Sequence, residues 1–477
     1  MPRHRVSPSA SPMAGSSGAS STPHPIGSTT DVSGILDHPP LRMMTAVMGL
    51  ASAHLTNVLD ACRMSSLPSD IDVAIIGAGA AGLGAAHGLT KSGLSTIVLE
   101  ARNRVGGRGH TIMASPEVTF DLGCGWLHSA DRNSFVAIAE RLGFAIDRTR
   151  PPWREQAYDK GFPLTERLDF IRALDEFYDR AEQAARNGRD SAASLCLEPG
   201  NRWNGMIDAL STYINGTELD RVSILDMDAY EDTEVNWRVR RGYGALMAAY
   251  GAACPLVLDC NVTLIDHASQ RLRLETSRGT LTADKVIVTV PTNLIADEAI
   301  RFFPALPSKL DAAAGLPLGL DNKVMLALDE PGDLPVDGGL RGATMRTEMG
   351  GFHLRPFGQP CIEGFFGGRF ARALEDAGEG ALAAQAIDEI VALLGSDYRS
   401  KLTPLAESRW GHDPFARGAY SHALPAHADK RAVLAAPVDN RLFFAGEATS
   451  PNFFSTAHGA RDSGERAARE VVGIIGS

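Results

Sequence analysis

With 477 residues, 44% of them hydrophobic and 22% charged, the chain can bury the cores of two or three domains and has the composition of a soluble globular protein. Its formal net charge of −11 argues against nucleic acid as a partner and gives only mild support to a cationic substrate. The six cysteines show no Cys-x-x-Cys spacing and no apolar run is long enough to span a membrane, so the chain carries no metal, redox-motif or membrane signal and is expected to be cytoplasmic with reduced thiols.

Residues 1–40 are rich in Ser, Pro, Gly and Thr and read as a disordered tail. A helical segment is expected over 41–70, where the apolar stretch Met43 to Ala53 suits an amphipathic helix. Its Ala51-Ser52-Ala53 end has the form of a signal-peptide cleavage site, but it lies far into the chain and lacks a compact basic start.

At Ile71 the pattern becomes sharp. An apolar run to Ile76 leads into Gly77-Ala78-Gly79-Ala80-Ala81-Gly82, then a helix-forming stretch to Lys91, then a β-rich run that ends on Glu100. A Gly-x-Gly-x-x-Gly between strand and helix, inside one βαβ unit of about thirty residues, is the context that gives the pattern meaning. Gly77 allows the tight turn, Gly79 lets backbone approach a pyrophosphate, and Gly82 lets the helix pack close to the strand. The helix N-terminus favours phosphate charge. Glu100 is placed for a ribose hydroxyl and repels a 2′-phosphate, which leaves NAD or FAD. Arg102 and Arg104-Val105-Gly106-Gly107-Arg108 favour FAD, because a second Gly-Gly-Arg brings further backbone and a guanidinium to the diphosphate.

Beyond it, Thr119 to Gly123 reads as a strand entering Cys124-Gly125-Trp126-Leu127-His128, a run of small residues that suits backbone lying along a flat cofactor. A lone His such as His128 is, on residue type alone, more often a surface or core residue than a catalyst. Helical periodicity dominates Thr165 to Arg186 and Trp203 to Tyr213. Strand patterns return at Leu256 to Leu258, Asn261 to Ile265, Leu272 to Thr276 and Lys285 to Val290. A further α+β block follows, with a strand from Asn322 to Leu328 and a helix from Gly380 to Leu394. The last segment holds Trp410, Gly418-Ala419-Tyr420-Ser421, and a strand Arg441 to Ala445 that enters Gly446-Glu447 ahead of a helix from about Ala457. The expected fold is α/β: a Rossmann-like FAD-binding domain (71–150, 240–300, 405–477) interleaved with an α+β substrate-binding domain (151–239, 301–404).

Taken together, these marks resemble the flavin-containing amine oxidases. They are Gly77-x-Gly79-x-x-Gly82 with Glu100; Gly106-Gly107-Arg108; Lys323; Trp410-x-x-Asp413-Pro414-Phe415-Ala416-x-Gly418-Ala419-Tyr420-Ser421; and Phe444-Ala445-Gly446-Glu447-Ala448-Thr449 followed by His458-Gly459-Ala460 and Ser463-Gly464. The resemblance implies that Glu100, Arg102, Arg108 and Glu447 hold FAD. It also implies that Ala81, Gly125, Trp126, Val262, Gly446 and Ala457 lie beside it. Lys323 matches the lysine that faces the flavin ring through a water, and Trp410 and Tyr420 match aromatic walls of the substrate cavity. Thr456 stands where monoamine oxidases carry a second cage tyrosine, which points towards polyamine-oxidase-like or demethylase-like sites. Ala419 replaces the cysteine that tethers flavin, so FAD is expected to be non-covalent. His128 matches a histidine of animal polyamine oxidases.

The implied activity is oxidation of a polyamine or other secondary, bulky amine to an imine, with electrons passed to O2 to give H2O2. A dehydrogenase with another acceptor, an L-amino-acid oxidase that uses Arg238, Arg240 or Arg241, and a non-catalytic flavin-bound scaffold remain open. No nucleic acid, membrane or metal partner is expected. A homodimer is compatible with the sequence, which does not set oligomeric state.

Overall fold

A computed structural model of the chain describes residues 67–475 apart from 117 and 160. The tail expected over 1–40 and nearly all of the helical segment expected over 41–70 lie outside the described residues. The last residues of that segment are not helical, and Asp70 already opens the first strand.

That strand, Asp70–Ile76, is the axis of an eight-stranded sheet. Val73 to Ile76 are buried on both faces, as a β-branched and small-residue run must be at the centre of a parallel sheet covered on either side. It pairs in parallel with Thr96–Leu99 on one side (Val73 opposite Thr96, Ile76 opposite Leu99) and with Gly279–Val288 on the other (Ile76 opposite Val288). The long Gly279–Val288 strand pairs along its first half antiparallel with Leu272–Thr276, and along its last three residues in parallel with Leu442–Phe444. The expected strand to Val290 ends instead at Val288. Just beyond it, the Thr289 N–H and hydroxyl both donate to the Ile76 carbonyl, at 3.0 and 2.7 Å. One face of the sheet is covered by residues such as Leu83, Phe135, Tyr243 and Val471, the other by Val257, Ile265, Ala312 and Leu434.

The first helix, Ala80–Leu89, packs along the last, Ala457–Ile475. Small residues make the crossing so close that a methyl group on Gly464 would sit 1.9 Å from the Ala81 carbonyl oxygen, and one on Gly84 would sit 2.3 Å from that of Arg461. This contact brings the C-terminal loop at Gly446 to the mouth of the first βαβ unit.

The second part is a five-stranded antiparallel sheet in the order Gly338–Arg341, Gly351–Leu354, Cys361–Gly367, Asp321–Leu328, Leu402–Glu407. Helices Gly368–Asp376 and Ala381–Leu394 complete its core, around Val324, Phe366 and Ile390. Helices Leu164–Arg186 and Asn204–Ile214 form a separate apolar cluster centred on Trp203. The fold is therefore the expected α/β one, a Rossmann-like half and an α+β half threaded through each other.

If the glycine-lined crossing holds the two ends of the chain together, Gly464→Ala is expected to destabilise the protein by roughly 1–3 kcal/mol through overpacking. A urea midpoint equal to that of the parent would show that the helices part without cost.

Candidate functional site

The loop after the first strand does what its glycines suggest. Gly77 has φ +102°, and a methyl group there would meet the Thr289 hydroxyl at 2.8 Å. One on Gly82 would lie 1.8 Å from the Gly77 carbonyl oxygen. Gly79 differs: its φ of −75° suits any residue, and an added methyl group would meet only the Gly107 Cα, at 3.9 Å. The protein itself therefore leaves room at Gly79, and a side chain would fill the space that a pyrophosphate takes. No side chain caps the Ala80–Leu89 helix and no acid stands in its first turn, so its first N–H groups are left for an anionic ligand. The second glycine loop lies against the first, with the Gly106 N–H donating to the Ala78 carbonyl at 2.8 Å.

Glu100 is buried, and burial pushes its carboxyl up. Backbone N–H groups of Ala78 (2.7 Å) and Arg102 (2.9 Å) fix its two oxygens and leave lone pairs on both for ribose hydroxyls. The Arg102 guanidinium pairs with Asp413 at 2.5 Å and lies over Phe415. Arg108 bonds the Ala419 carbonyl at 2.5 Å and Glu447 at 3.0 Å. Burial opposes ionisation of Glu447, but Arg108, the Ser421 hydroxyl (2.6 Å), Arg431 and the Ser455 N–H (2.9 Å) outweigh it and hold the carboxyl below the usual range. At the C-terminal ends of the parallel strands a cleft of about 320 Å³, its open mouth included, is lined by Arg108, Thr289, Pro291, Gly446 and Glu447 among others. This is where open α/β sheets receive their ligands. These features fit FAD.

Lys323 lies on the Asp321–Leu328 strand and is buried. Its Nζ donates to Glu363 Oε1 at 3.1 Å and to the Asp121 carbonyl at 3.2 Å, and it sits so close to Gly125 that a methyl group there would be 3.3 Å away. Burial would lower its pKa, yet the carboxylates of Glu363 and Asp121 more than compensate and keep it an ammonium. Trp410 is locked beside it, with its Nε1 donating to the Leu122 carbonyl at 2.8 Å and its ring against Gly123. The Tyr420 hydroxyl donates to the Tyr213 carbonyl. Burial raises its pKa well above the usual value, so it remains a phenol.

Other expected residues stand differently. The Thr456 hydroxyl is taken up at the start of its own helix: it accepts from the Gly459 N–H at 3.0 Å and donates to the Phe453 carbonyl at 2.7 Å. Ala457 begins that helix. The ring of Trp126 meets Trp153 edge-on, stacks with His353 and lies under Arg238. His128 pairs with Asn236 at 2.8 Å and is held below its usual pKa by burial. Val262 is buried at the head of its strand; near it, the Cys260 N–H donates to the Glu100 carbonyl at 2.8 Å. Arg238 is engaged by Asp147 and Asp337, and the exposed Arg240 and Arg241 lie over the rings of Phe357 and Phe144.

Sequence reasoning missed Glu363, the buried bidentate pair of Arg431 with Asp226 (2.6 and 2.8 Å) behind Ser421, and the hydrogen-bonding role of Ser421 itself. Ser421 stood inside a motif already noted. Glu363 and the Asp226–Arg431 pair had no local signal.

Residues 80–472 match the family described as flavin containing amine oxidoreductase. The chain belongs to this family. It is 30% identical over 440 residues to Polyamine oxidase 4 of Oryza sativa subsp. japonica, covering 83% of this chain and 88% of the relative. Lysine-specific histone demethylase 1 homolog 1 of the same plant is 28% identical over 89% of this chain, which spans only about half (54%) of that relative. Among solved structures, Cyclohexylamine Oxidase from Brevibacterium oxydans superposes with a TM-score of 0.70 at 21% identity, covering 86% of this chain and all (100%) of that one. Putrescine Oxidase bound to putrescine gives 0.68, also at 21%, over 86% and 99%. This amine oxidoreductase is thus an enzyme that uses FAD. Among the described residues no helix is long and apolar enough to cross a membrane, and no cluster of His, Cys, Asp and Glu could hold a metal ion.

Because its folded pKa lies below the 4.5 of an unperturbed glutamate, Glu447 stabilises the fold fully above that pH and loses this contribution as pH falls through the lower folded value. Glu447→Gln, which leaves Arg108 without its counter-charge, is expected to cost about 3–5 kcal/mol at pH 7. Its stability should also decline less steeply than the parent's on acidification. Two acid-unfolding curves with equal slopes would contradict this.

Proposed function

We propose that the enzyme oxidises a polyamine or another secondary, bulky amine at the carbon next to nitrogen, with O2 as the acceptor and H2O2 as a product, and that its FAD is held without a covalent bond. The single observation that carries this reading is the buried Lys323 ammonium, fixed by Glu363 and Asp121 at the glycine-lined face of Gly123 to Gly125 and flanked by the locked indole of Trp410. FAD, when bound, supplies the acceptor for the hydride and returns the electrons to oxygen.

The side chains do the rest. The Lys323 ammonium has three protons; two go to Glu363 and the Asp121 carbonyl, which leaves one that can hold a water. Tyr420 stays neutral and its hydroxyl is engaged with Tyr213, so its ring acts as a rigid wall and takes no proton from the amine. The reaction needs an uncharged nitrogen, whose lone pair stabilises the imine as it forms. Ala419, at the position expected for a flavin-tethering cysteine, presents its carbonyl to Arg108. Burial drives the nearby Cys124 thiol up to about 12, so it stays protonated and unreactive. An L-amino-acid substrate is disfavoured by the engagement of Arg238 with Asp147 and Asp337.

Mixed anaerobically with spermidine, an aromatic monoamine, an N-methyl amine and L-amino acids, the purified yellow protein is expected to be bleached by spermidine and the N-methyl amine and not by amino acids. Admission of air should restore the colour and release peroxide. A protein that stays reduced in air would identify a dehydrogenase instead. Lys323→Met is expected to slow flavin reduction or reoxidation ten-fold or more, about 1.4 kcal/mol of barrier. Unchanged rates in both half-reactions would remove Lys323 from the mechanism.

A further inference from the structure

Asp321 opens the strand that carries Lys323 two residues later. Alternate residues of a strand point to the same face, so the two side chains stand side by side, roughly 7 Å apart along the backbone. Lys323 has its partners in Glu363 and Asp121. Asp321 is only partly satisfied: its carboxyl has a side-chain hydrogen bond with Tyr420, but its Oδ1 is buried and without a hydrogen-bond partner. Its carboxyl lies against the Tyr420 hydroxyl, whose own proton is given to the Tyr213 carbonyl. A buried carboxylate oxygen left unsatisfied costs on the order of 1–3 kcal/mol or more, so such an atom beside a substrate wall calls for a donor that arrives from outside.

The groups that face it are Lys323 on its own strand, Glu363 from the neighbouring strand, and Tyr420 and Tyr213 from the segments packed against it. Burial raises its pKa, Lys323 pulls it down, Glu363 pushes it up again and the hydrogen bond with Tyr420 lowers it, with the balance at about 7. A group so poised can hold a proton or release it near neutral pH.

We propose that Asp321 is the carboxylate that receives the substrate's ammonium group at the Tyr420 wall and takes one proton from it at Oδ1. The transfer is balanced and involves no redox change: an N–H bond of the ammonium breaks, an O–H bond on Asp321 forms, and the electron pair left on nitrogen becomes the lone pair that the oxidation needs. The inference rests on the amine-oxidising function proposed above and names the residue that reconciles an amine charged in water with a reaction that requires it neutral. It also gives a reason for the unsatisfied oxygen, which in a purely structural aspartate would have none.

The test uses the FAD-loaded enzyme and two probes of one shape, tert-butylammonium, which has no hydrogen on the carbon next to nitrogen and so cannot be oxidised, and the neutral tert-butanol. In calorimetric titrations Asp321→Asn is expected to weaken tert-butylammonium ten-fold or more, with tert-butanol unchanged. Asp321→Glu should recover part of the loss. With spermidine, the pH profile of anaerobic flavin reduction should lose its acid limb near neutrality in Asp321→Asn. Equal weakening of both probes, or a fall in bound flavin and thermal midpoint, would make Asp321 a structural group and overturn the assignment. So would an unchanged affinity and an unchanged pH profile. If no amine bleaches the parent's flavin, it is the proposed function that fails, while a charge-selective loss of tert-butylammonium binding in Asp321→Asn would still place an ammonium at this carboxylate.

Discussion

The cleft depends on a single buried charge, the carboxylate of Glu447. Burial resists its ionisation, and it is kept ionised by Arg108 from the first βαβ unit, Ser421 from the loop after Trp410, and Ser455 from the start of the last helix. Arg108 and Glu447 are 339 residues apart in the chain. The desolvation cost of such a group is met only when every donor is present. The three segments therefore come to the cleft together or not at all. Arg431 extends the arrangement by bonding both Ser421 and the fully paired Asp226.

A second constraint is the alternation of the Asp321–Leu328 strand. On one face it presents Asp321 and Lys323. On the other, buried Asn322 accepts the Trp410 N–H at 3.1 Å and donates to Glu375 at 3.0 Å. Three consecutive residues thus set the lysine, the proposed amine-receiving carboxylate and the backbone of the indole wall. A slip of one residue in register would exchange the two faces and put Lys323 into the core. The tight pairing with Cys361–Gly367, from Asp321 opposite Gly367 to Ala327 opposite Cys361, prevents it.

Much of the nucleotide half was legible from residue types because its constraints are local. Gly77 needs a positive φ, Gly82 lies against the turn it follows, and Glu100 ends the next strand of the same unit, so each is set by neighbours within about thirty residues. The long helices were legible for the same reason: the periodicity from Thr165 to Arg186 reappears as Leu164–Arg186. Boundaries moved by a residue or two, as at Val288, where the strand ends and the next residue, Thr289, gives both its N–H and its hydroxyl to the Ile76 carbonyl. Side-chain direction was harder to read. Trp126 belongs to a group with Trp153 and His353, Arg102 to Asp413, and the Thr456 hydroxyl to its own helix, and each choice was made by a partner distant in sequence or by local capping that competes with the cavity.

By itself, then, the sequence determined the class of fold, the dinucleotide loop and the kind of cofactor, since turn chemistry and periodicity act over short stretches and leave their mark in residue spacing. Only the tertiary structure decided which charges neutralise one another. Lys323 meets Glu363 across a strand pair, Arg431 meets Asp226 across 205 residues, and Asp321 is left with a bare oxygen. Burial and pairing of charge depend on where distant segments come to rest, and no local pattern records that.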